Sequence, residues 1–135
     1  MMKTIQNLGK VNAPVCGPYA LALVANVPLE QAMATVKRVK GAGDRWKGRS
    51  TLGDLMGGLA TFRVFYDRLT GLRGKALKTV ACDDLNFTKQ HLIFITDHFV
   101  TLYRGLVYDQ AHPEGVHYTQ YSLRNRRVKA VLMIH

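Results

Sequence analysis

Three side chains in this sequence have the chemical types that nucleophilic acyl chemistry requires: Cys16, His98 and Asp109. Cys16 begins an apolar segment that predicts a helix, and the positive end of a helix dipole lowers a thiol pKa and favours the reactive thiolate. The glycine at position 17 permits close backbone approach, and the backbone N–H of Cys16 is suited to bind an oxyanion. An imidazole beside the thiol keeps it ionised and later protonates a leaving amine, and a carboxylate orients the imidazole.

His98 and Asp109 are predicted to share one face of an antiparallel hairpin. His98 begins one strand, the dipeptide at 104–105 has the composition of a two-residue turn, and Asp109 ends the returning strand. This turn pairs Val100 with Asp109, and His98 lies two residues before Val100. Since alternate residues point to the same face, the two side chains become diagonal neighbours with backbones roughly 7–8 Å apart.

Each of the three residues also has an ordinary structural interpretation. A lone cysteine in a helix is usually a small core residue, and an aspartate near a turn commonly serves local turn chemistry. A histidine at the start of a strand is more often solvated or structurally hydrogen-bonded. The second cysteine, Cys82, is predicted to be structural, because the charges of Asp83 and Asp84 raise a neighbouring thiol pKa.

The elements that must position these residues are helices in the first half and strands in the second. Apolar spacing predicts helices from Tyr19 to Ala25, from Leu29 to about Val39 and from Leu52 to about Leu59. The third helix has the spacing of a capping box at Thr51 and Asp54. Strands are predicted at Phe62–Tyr66, Leu92–Ile95, Phe99–Tyr103, Leu106–Tyr108, Tyr118–Leu123 and Val128–Ile134, with a loop at His112–Gly115. This order predicts an α+β domain, helices packed on an antiparallel sheet, over residues 1–135.

Length and composition exclude several classes of protein. The chain has 135 residues, 47% of them hydrophobic, which suits one folded domain and argues against disorder. It has no run of about 18 apolar residues that would span a membrane, and residues 1–6 lack the apolar core of a secretory signal. Two cysteines without zinc-site spacing predict free thiols in the cytoplasm and no metal or other cofactor.

The charge balance is strongly basic and predicts an anionic partner. Nineteen Lys and Arg face nine Asp and Glu, a net charge of +10 that favours nucleic acid or acidic proteins. One dense segment could form a basic partner surface: Lys37, Arg38, Lys40, Arg45, Trp46, Lys47 and Arg49. Trp46 has two possible roles. It could stack on a base or insert into a partner, or it could fold back onto the core within a solvated loop. A second cluster lies near the C-terminus at Arg124, Arg126, Arg127 and Lys129.

The sequence around the cysteine resembles a known family. The segment Cys16-Gly17-Pro18-Tyr19-Ala20-Leu21-Ala22-Leu23 resembles the nucleophile helix of papain-like cysteine peptidases, most of all the bacteriocin-processing (C39-like) branch. The segments 98–102 and 105–109 resemble that family's His strand and Asp strand. Small phage-encoded proteins of this fold have a similar layout, which would place the chain in a host-cell cytoplasm. The resemblance covers about Asn12 to Asp109 and implies a papain-like fold.

The resemblance also implies roles for individual residues. Cys16 corresponds to the nucleophile, His98 to the general base and acid, and Asp109 to the group that orients the imidazole. The implied activity is hydrolysis of a peptide or isopeptide bond in a peptide or protein substrate. Acyl transfer to an amine is open as well, because it uses the same Cys-His pair.

Two positions depart from the family pattern. An oxyanion-binding Gln usually stands six residues before the cysteine, where this chain has Lys10. Gln6 and Asn12 carry amide donors and are the candidate substitutes. The residue after the Asp is often Pro, and here it is Gln110. Because a lost oxyanion donor typically costs about 10²–10³ in rate, a weak or inactive protein that binds a host factor or nucleic acid through its basic surface is the alternative function.

Overall fold

The computed structural model describes residues 5–135, so part of the N-terminal segment assessed for a secretory signal lies outside the described residues. The helices are α1 (Cys16–Ala25), α2 (Leu29–Lys40), α3 (Leu52–Thr61) and α4 (Leu77–Asp83); the strands are β1 (Tyr66–Leu69), β2 (Gln90–Ile95), β3 (His98–Tyr103), β4 (Leu106–Asp109), β5 (His112–His117) and β6 (Val128–Ile134). Within residues 5–135, no helix has the length and apolar character needed to cross a bilayer.

Helix α1 is the buried centre of the helical half. Every residue from Gly17 to Val24 is buried, which agrees with its apolar composition on all sides. It ends at Asn26, whose left-handed backbone (φ 55°) lets its N–H reach the carbonyl of Ala22. Because the helix is enclosed, the direction in which its first residue points is fixed by packing.

Helices α2 and α3 cover α1 from outside. Helix α3 begins with the predicted capping box, in which Thr51 and Asp54 satisfy each other's backbone N–H groups. Gly58 lets α3 approach α1 closely, because a Cβ there would lie 2.5 Å from a methyl group of Leu21.

The strands form an antiparallel sheet in the order β1-β6-β2-β3-β4-β5. Both faces are covered. On β2, Leu92 packs with the α1–α3 core, whereas the next residue, Ile93, packs with Leu77 and Val80 of α4. The predicted α+β fold with an antiparallel sheet is confirmed.

Three local predictions were wrong. The segment 62–65 is not a strand, because Phe62 ends α3 and Arg63 adopts a left-handed backbone (φ 56°), so a strand begins only at Tyr66. Residues 118–123 form successive turns. The predicted loop after Asp109 is strand β5, which pairs with β4 at the sheet edge, where Pro113 needs no ladder partner.

Candidate active site

Cys16 is the first residue of α1 and points toward the start of β3. Its helix has no side-chain cap at Val15, so the backbone N–H groups of the first turn stay directed at the cysteine end. Gly17 is required there, because the hydroxyl of Ser50 occupies the space that a Cβ would fill. The half-buried thiol therefore lies at an uncapped helix N-terminus against a tightly packed backbone.

The surroundings of Cys16 favour the thiolate. Burial alone would raise the pKa of the thiol, but hydrogen bonds from His98 and from the backbone N–H of Phe99 and Gly17, together with the charge of His98, outweigh burial and lower it. Both cysteines are free. Cys16 thus has the electrostatic setting of a reactive thiol.

His98 connects the thiol to a carboxylate. Its Nε2 lies 3.0 Å from Oδ2 of Asp109, and its pKa is raised to about 9. Burial acts to lower that pKa, but the hydrogen bonds with Asp109 and Cys16 and their charges raise it by more. A lowered thiol pKa beside a raised imidazole pKa favours the thiolate–imidazolium form of the pair.

Asp109 is almost fully buried and accepts five hydrogen bonds. Oδ2 accepts from His98 and, at 2.6 Å, from the hydroxyl of Tyr121. Oδ1 accepts from the backbone N–H groups of Ala111 (3.0 Å) and His112 (2.9 Å) and from Nδ1 of His112 (2.9 Å). Burial would raise the pKa of this carboxyl, but its partners His98, Tyr121 and His112 hold the pKa far below the ordinary value. The carboxylate is therefore ionised and immobile.

The sequence analysis missed Tyr121 and His112 as partners of Asp109. Tyr121 is fully buried, and burial together with the hydrogen bond to Asp109 raises the pKa of its phenol strongly. It lies in the turn segment that was wrongly predicted to be a strand. The turn after Asp109 carried a detectable signal, since aspartate side chains in turns commonly accept from backbone N–H groups just after them, as Asp109 does from Ala111 and His112.

The structure separates the two candidate oxyanion donors from each other. Gln6 donates from Nε2 to the carbonyls of Ala22 (3.0 Å) and Val27 (2.8 Å), so its amide serves the end of α1 opposite to Cys16. The structure does not bring Gln6 to the site. Asn12 is exposed and lies four residues before the thiol.

Gln110 holds the segment that leads into the nucleophile helix. Its carbonyl accepts from the N–H of Val11 (3.0 Å), and its side-chain amide donates to Val11 (2.8 Å) and Ala13. The position at which the family often has Pro thus ties the chain before Cys16 to the end of β4. Lys10, in the same segment, is exposed and lines a small cavity with His112.

The basic segment comprises the last turn of α2 and the loop that follows it, with Trp46 turned inward. The indole of Trp46 packs against the α1–α3 core and donates to the carbonyl of Arg49 (2.7 Å). The segment's remaining cations line the outside, two of them in ion pairs, Lys37–Asp44 (3.2 Å) and Lys40–Asp54 (2.9 Å). Trp46 is therefore part of the packing and not a free stacking platform. In the described part of the chain, no three His, Cys, Asp or Glu residues are placed to hold a metal ion.

Comparison with known proteins identifies the fold. No family profile matches the chain, and no curated protein sequence is significantly similar. Among solved structures, the chain is similar to a double-glycine motif protease from an AMS/PCAT transporter, determined in complex with the leader peptide, with a TM-score of 0.61 and 15% identity over 97% of this chain and 90% of that one. The fold is that of a papain-like C39 peptidase domain.

Proposed function

We propose that this chain is a cysteine peptidase in which Cys16 is the nucleophile, His98 the general base and acid, and Asp109 the group that orients the imidazole. The observation that carries this proposal is the hydrogen-bonded series from Cys16 through His98 to Asp109, at an uncapped helix N-terminus. In this proposal residues 1–135 act as one domain. Free thiols suit a reducing compartment such as the cytoplasm.

The proposed reaction uses the ionised pair directly. The thiolate of Cys16 attacks the substrate carbonyl carbon, and the resulting oxyanion accepts a hydrogen bond from the backbone N–H of Cys16. The imidazolium of His98 then protonates the leaving amine, and a thioester to Cys16 forms. Water, deprotonated by the neutral imidazole, attacks the thioester and releases the acid. An amine in place of water gives acyl transfer by the same residues.

The substrate that the fold favours is a peptide bond after a pair of glycines. The solved neighbour is a double-glycine motif protease that binds a leader peptide. The side-chain oxyanion donor is Asn12 in this proposal, since Gln6 is held at the far end of α1.

The first experiment measures the rate of Cys16 alkylation by iodoacetamide from acid to alkaline pH, with the exposed Cys82 as an internal comparison. The proposal requires that Cys16 react well below the pH at which an ordinary thiol ionises, near 8.5. His98→Ala should abolish that early reactivity and leave the profile of Cys82 unchanged. Identical profiles for the two cysteines in the wild-type protein would contradict the proposal.

The second experiment tests turnover with internally quenched peptides that contain a Gly-Gly bond. Wild type should cleave after the second glycine, whereas Cys16→Ala should show no cleavage and keep the wild-type unfolding free energy. Residual turnover in Cys16→Ala would exclude this thiol as the nucleophile.

A non-catalytic binding protein is the second candidate. The position of Gln6 favours it, because the amide that would complete an oxyanion hole is engaged elsewhere. This candidate predicts binding to a polyanion or an acidic host protein that weakens with salt and survives Cys16→Ala. An early-reacting Cys16 that cleaves no Gly-Gly peptide would favour it over the peptidase.

A further inference from the structure

Six cations from two distant segments meet on one surface beside α4, here called the α4 basic surface: Arg73, Lys75, Lys78, Arg124, Arg126 and Arg127. Backbone hydrogen bonds hold the two segments together, from Gly74 N–H to Val128 (2.8 Å), Val128 N–H to Lys75 (2.8 Å), Leu77 N–H to Arg126 (3.0 Å) and Lys78 N–H to Arg124 (2.9 Å). We propose that the α4 basic surface binds an acidic segment of the polypeptide substrate. This inference rests on the proposed peptidase function.

The surface has a local excess of positive charge. Five of its six cations are exposed, and Arg124 is half-buried. Among the described residues, Lys75 is the member of the set that forms an ion pair, with Asp84 at 3.3 Å. Two further carboxylates lie on adjoining elements, Asp83 at the end of α4 and Asp97 between β2 and β3, so six cations stand against three anions. Charges within about 10 Å act together at about 0.1 M salt, which suits a ligand with several carboxylates.

The surface adjoins the end of the sheet at which His98 lies. Arg126 donates from Nη1 to the carbonyl of Thr96 (3.0 Å), two residues before His98. Arg124 donates from Nη1 to the carbonyl of Tyr121 (3.0 Å), whose hydroxyl binds Asp109. These two cations are therefore held next to residues that adjoin His98 and Asp109, on the α4 side of the sheet.

A groove on the surface offers a place for acidic side chains. It has a volume of about 460 Å³ and is lined by residues from α4 and the turns that follow β5: Lys78, Thr79, Cys82, Asp83, Tyr118, Thr119 and Arg124. The two cations of this groove, Lys78 and Arg124, lie beside hydroxyl groups, which can donate hydrogen bonds to carboxylates. The position of these cations beside residues that adjoin a proposed peptide-processing site favours a polypeptide as the ligand over nucleic acid.

The test compares two double charge reversals that lower the net charge equally. Arg73→Glu/Lys78→Glu changes the α4 basic surface at two side chains that make no hydrogen bond in the described structure. The control, Arg63→Glu/Arg68→Glu, changes two exposed residues, one just after α3 and one on β1, whose register partner Leu132 packs in the α1–α3 core on the other face of the sheet from α4. The binding probes are fluorescein-labelled oligoglutamate, oligoglutamine of equal length, and an oligothymidylate of equal charge.

The binding result expected is an oligoglutamate Kd that rises about tenfold in Arg73→Glu/Lys78→Glu and by less than about twofold in the control, with weak binding of oligoglutamine throughout. An equal loss in both double variants would overturn the inference, because net charge alone would explain it. Tighter binding of oligothymidylate than of oligoglutamate would also overturn it, in favour of nucleic acid.

A turnover measurement separates this inference from the function on which it rests. Quenched Gly-Gly peptides with a run of Glu should show a higher kcat/KM than the same peptides with Gln, and Arg73→Glu/Lys78→Glu should remove that preference while sparing the Gln peptides. If wild type cleaves neither peptide, the peptidase function fails, and the binding comparison still decides whether the surface takes acidic chains. Equal kcat/KM for the Glu and Gln peptides in wild type overturns the inference alone.

Discussion

Tyr121 and His98 share one acceptor, Oδ2 of Asp109, at 2.6 Å and 3.0 Å. An ionised carboxylate only accepts hydrogen bonds, so Nε2 of His98 must carry the proton in this contact. The other ring nitrogen, Nδ1, is then the one available to Cys16. Tyr121 thus helps to fix which nitrogen of His98 faces the thiol, although the two residues lie 23 positions apart.

Tyr121→Phe is expected to loosen Asp109 without removing it. The buried carboxylate loses one of its five donors, which should lower the unfolding free energy by about 1–3 kcal/mol. Cys16 should keep its early alkylation, because His98 and the Asp109 charge remain. Urea denaturation measures the first effect and the iodoacetamide profile the second, with Tyr118→Phe as the control. A Tyr121→Phe protein as stable as the control variant would contradict the role given to this hydroxyl.

Asp109→Asn should move the alkaline limit of activity. The imidazolium of His98 is the acid in the proposed reaction, and its pKa is raised to about 9, so kcat/KM on a Gly-Gly peptide should fall as pH rises through about 9. Without the carboxylate charge, burial of His98 favours its neutral form, and the limit should move down by about one pH unit or more. The measurement is kcat/KM against pH for both proteins; coincident alkaline limits would disprove the assignment.

Gly17→Ala should destabilise the fold, and adding Ser50→Ala should restore part of the lost stability. The hydroxyl of Ser50 occupies the space of the new methyl group, so Gly17→Ala should lower the unfolding free energy by about 1–3 kcal/mol. The Ser50 hydroxyl is buried without a hydrogen-bond partner in the described structure, so Ser50→Ala alone should be close to neutral. Denaturation of both single variants and the double variant measures their coupling, and purely additive losses would argue against this contact.

His91 should make the fold sensitive to acid. Its side chain is fully buried, and burial lowers its pKa from 6.5 to about 4. Between these values the unfolded chain binds a proton that the folded chain does not, so the unfolding free energy should fall by about 3 kcal/mol as pH drops from 6.5 to 4. His91→Leu should remove this slope between pH 6.5 and 5, whereas His117→Gln, at an exposed site, should retain it. The check is urea denaturation across that range; equal slopes would contradict the prediction.

The placement of His98 and Asp109 on one face of a hairpin could be predicted from the sequence, because a two-residue turn fixes which residues of the two strands pair. The pair Arg104-Gly105 adopts positive φ at both residues (51° and 79°), and Tyr103 pairs with Leu106 as expected. Side-chain alternation then determines which residues share a face. The same logic predicted the span of β6 from its alternating apolar residues.

The contacts that sequence reasoning missed depend on long-range packing. The contact of Tyr121 with Asp109 could not be predicted from neighbouring residues. Tyr121 lies among successive turns, and turns have no periodic pattern of apolar residues that would indicate which way a side chain points. The position of Gln6 could not be predicted either. Its separation from Cys16 in the sequence does not reveal that its amide donates to carbonyls at the other end of α1. The contact of Cys16 with His98 joins residues 82 positions apart and follows only from the fold.

The last strand of the chain lies between the first and the second. Strand β6 pairs with β1 on one side and β2 on the other, and it contributes Val131 and Leu132 to opposite cores. A polypeptide still emerging from the ribosome, with residues 128–134 not yet released, has β1 unpaired and both cores open. The packing that sets Cys16 of α1 against His98 of β3 is therefore expected to be completed only after residues 128–134 have joined the sheet.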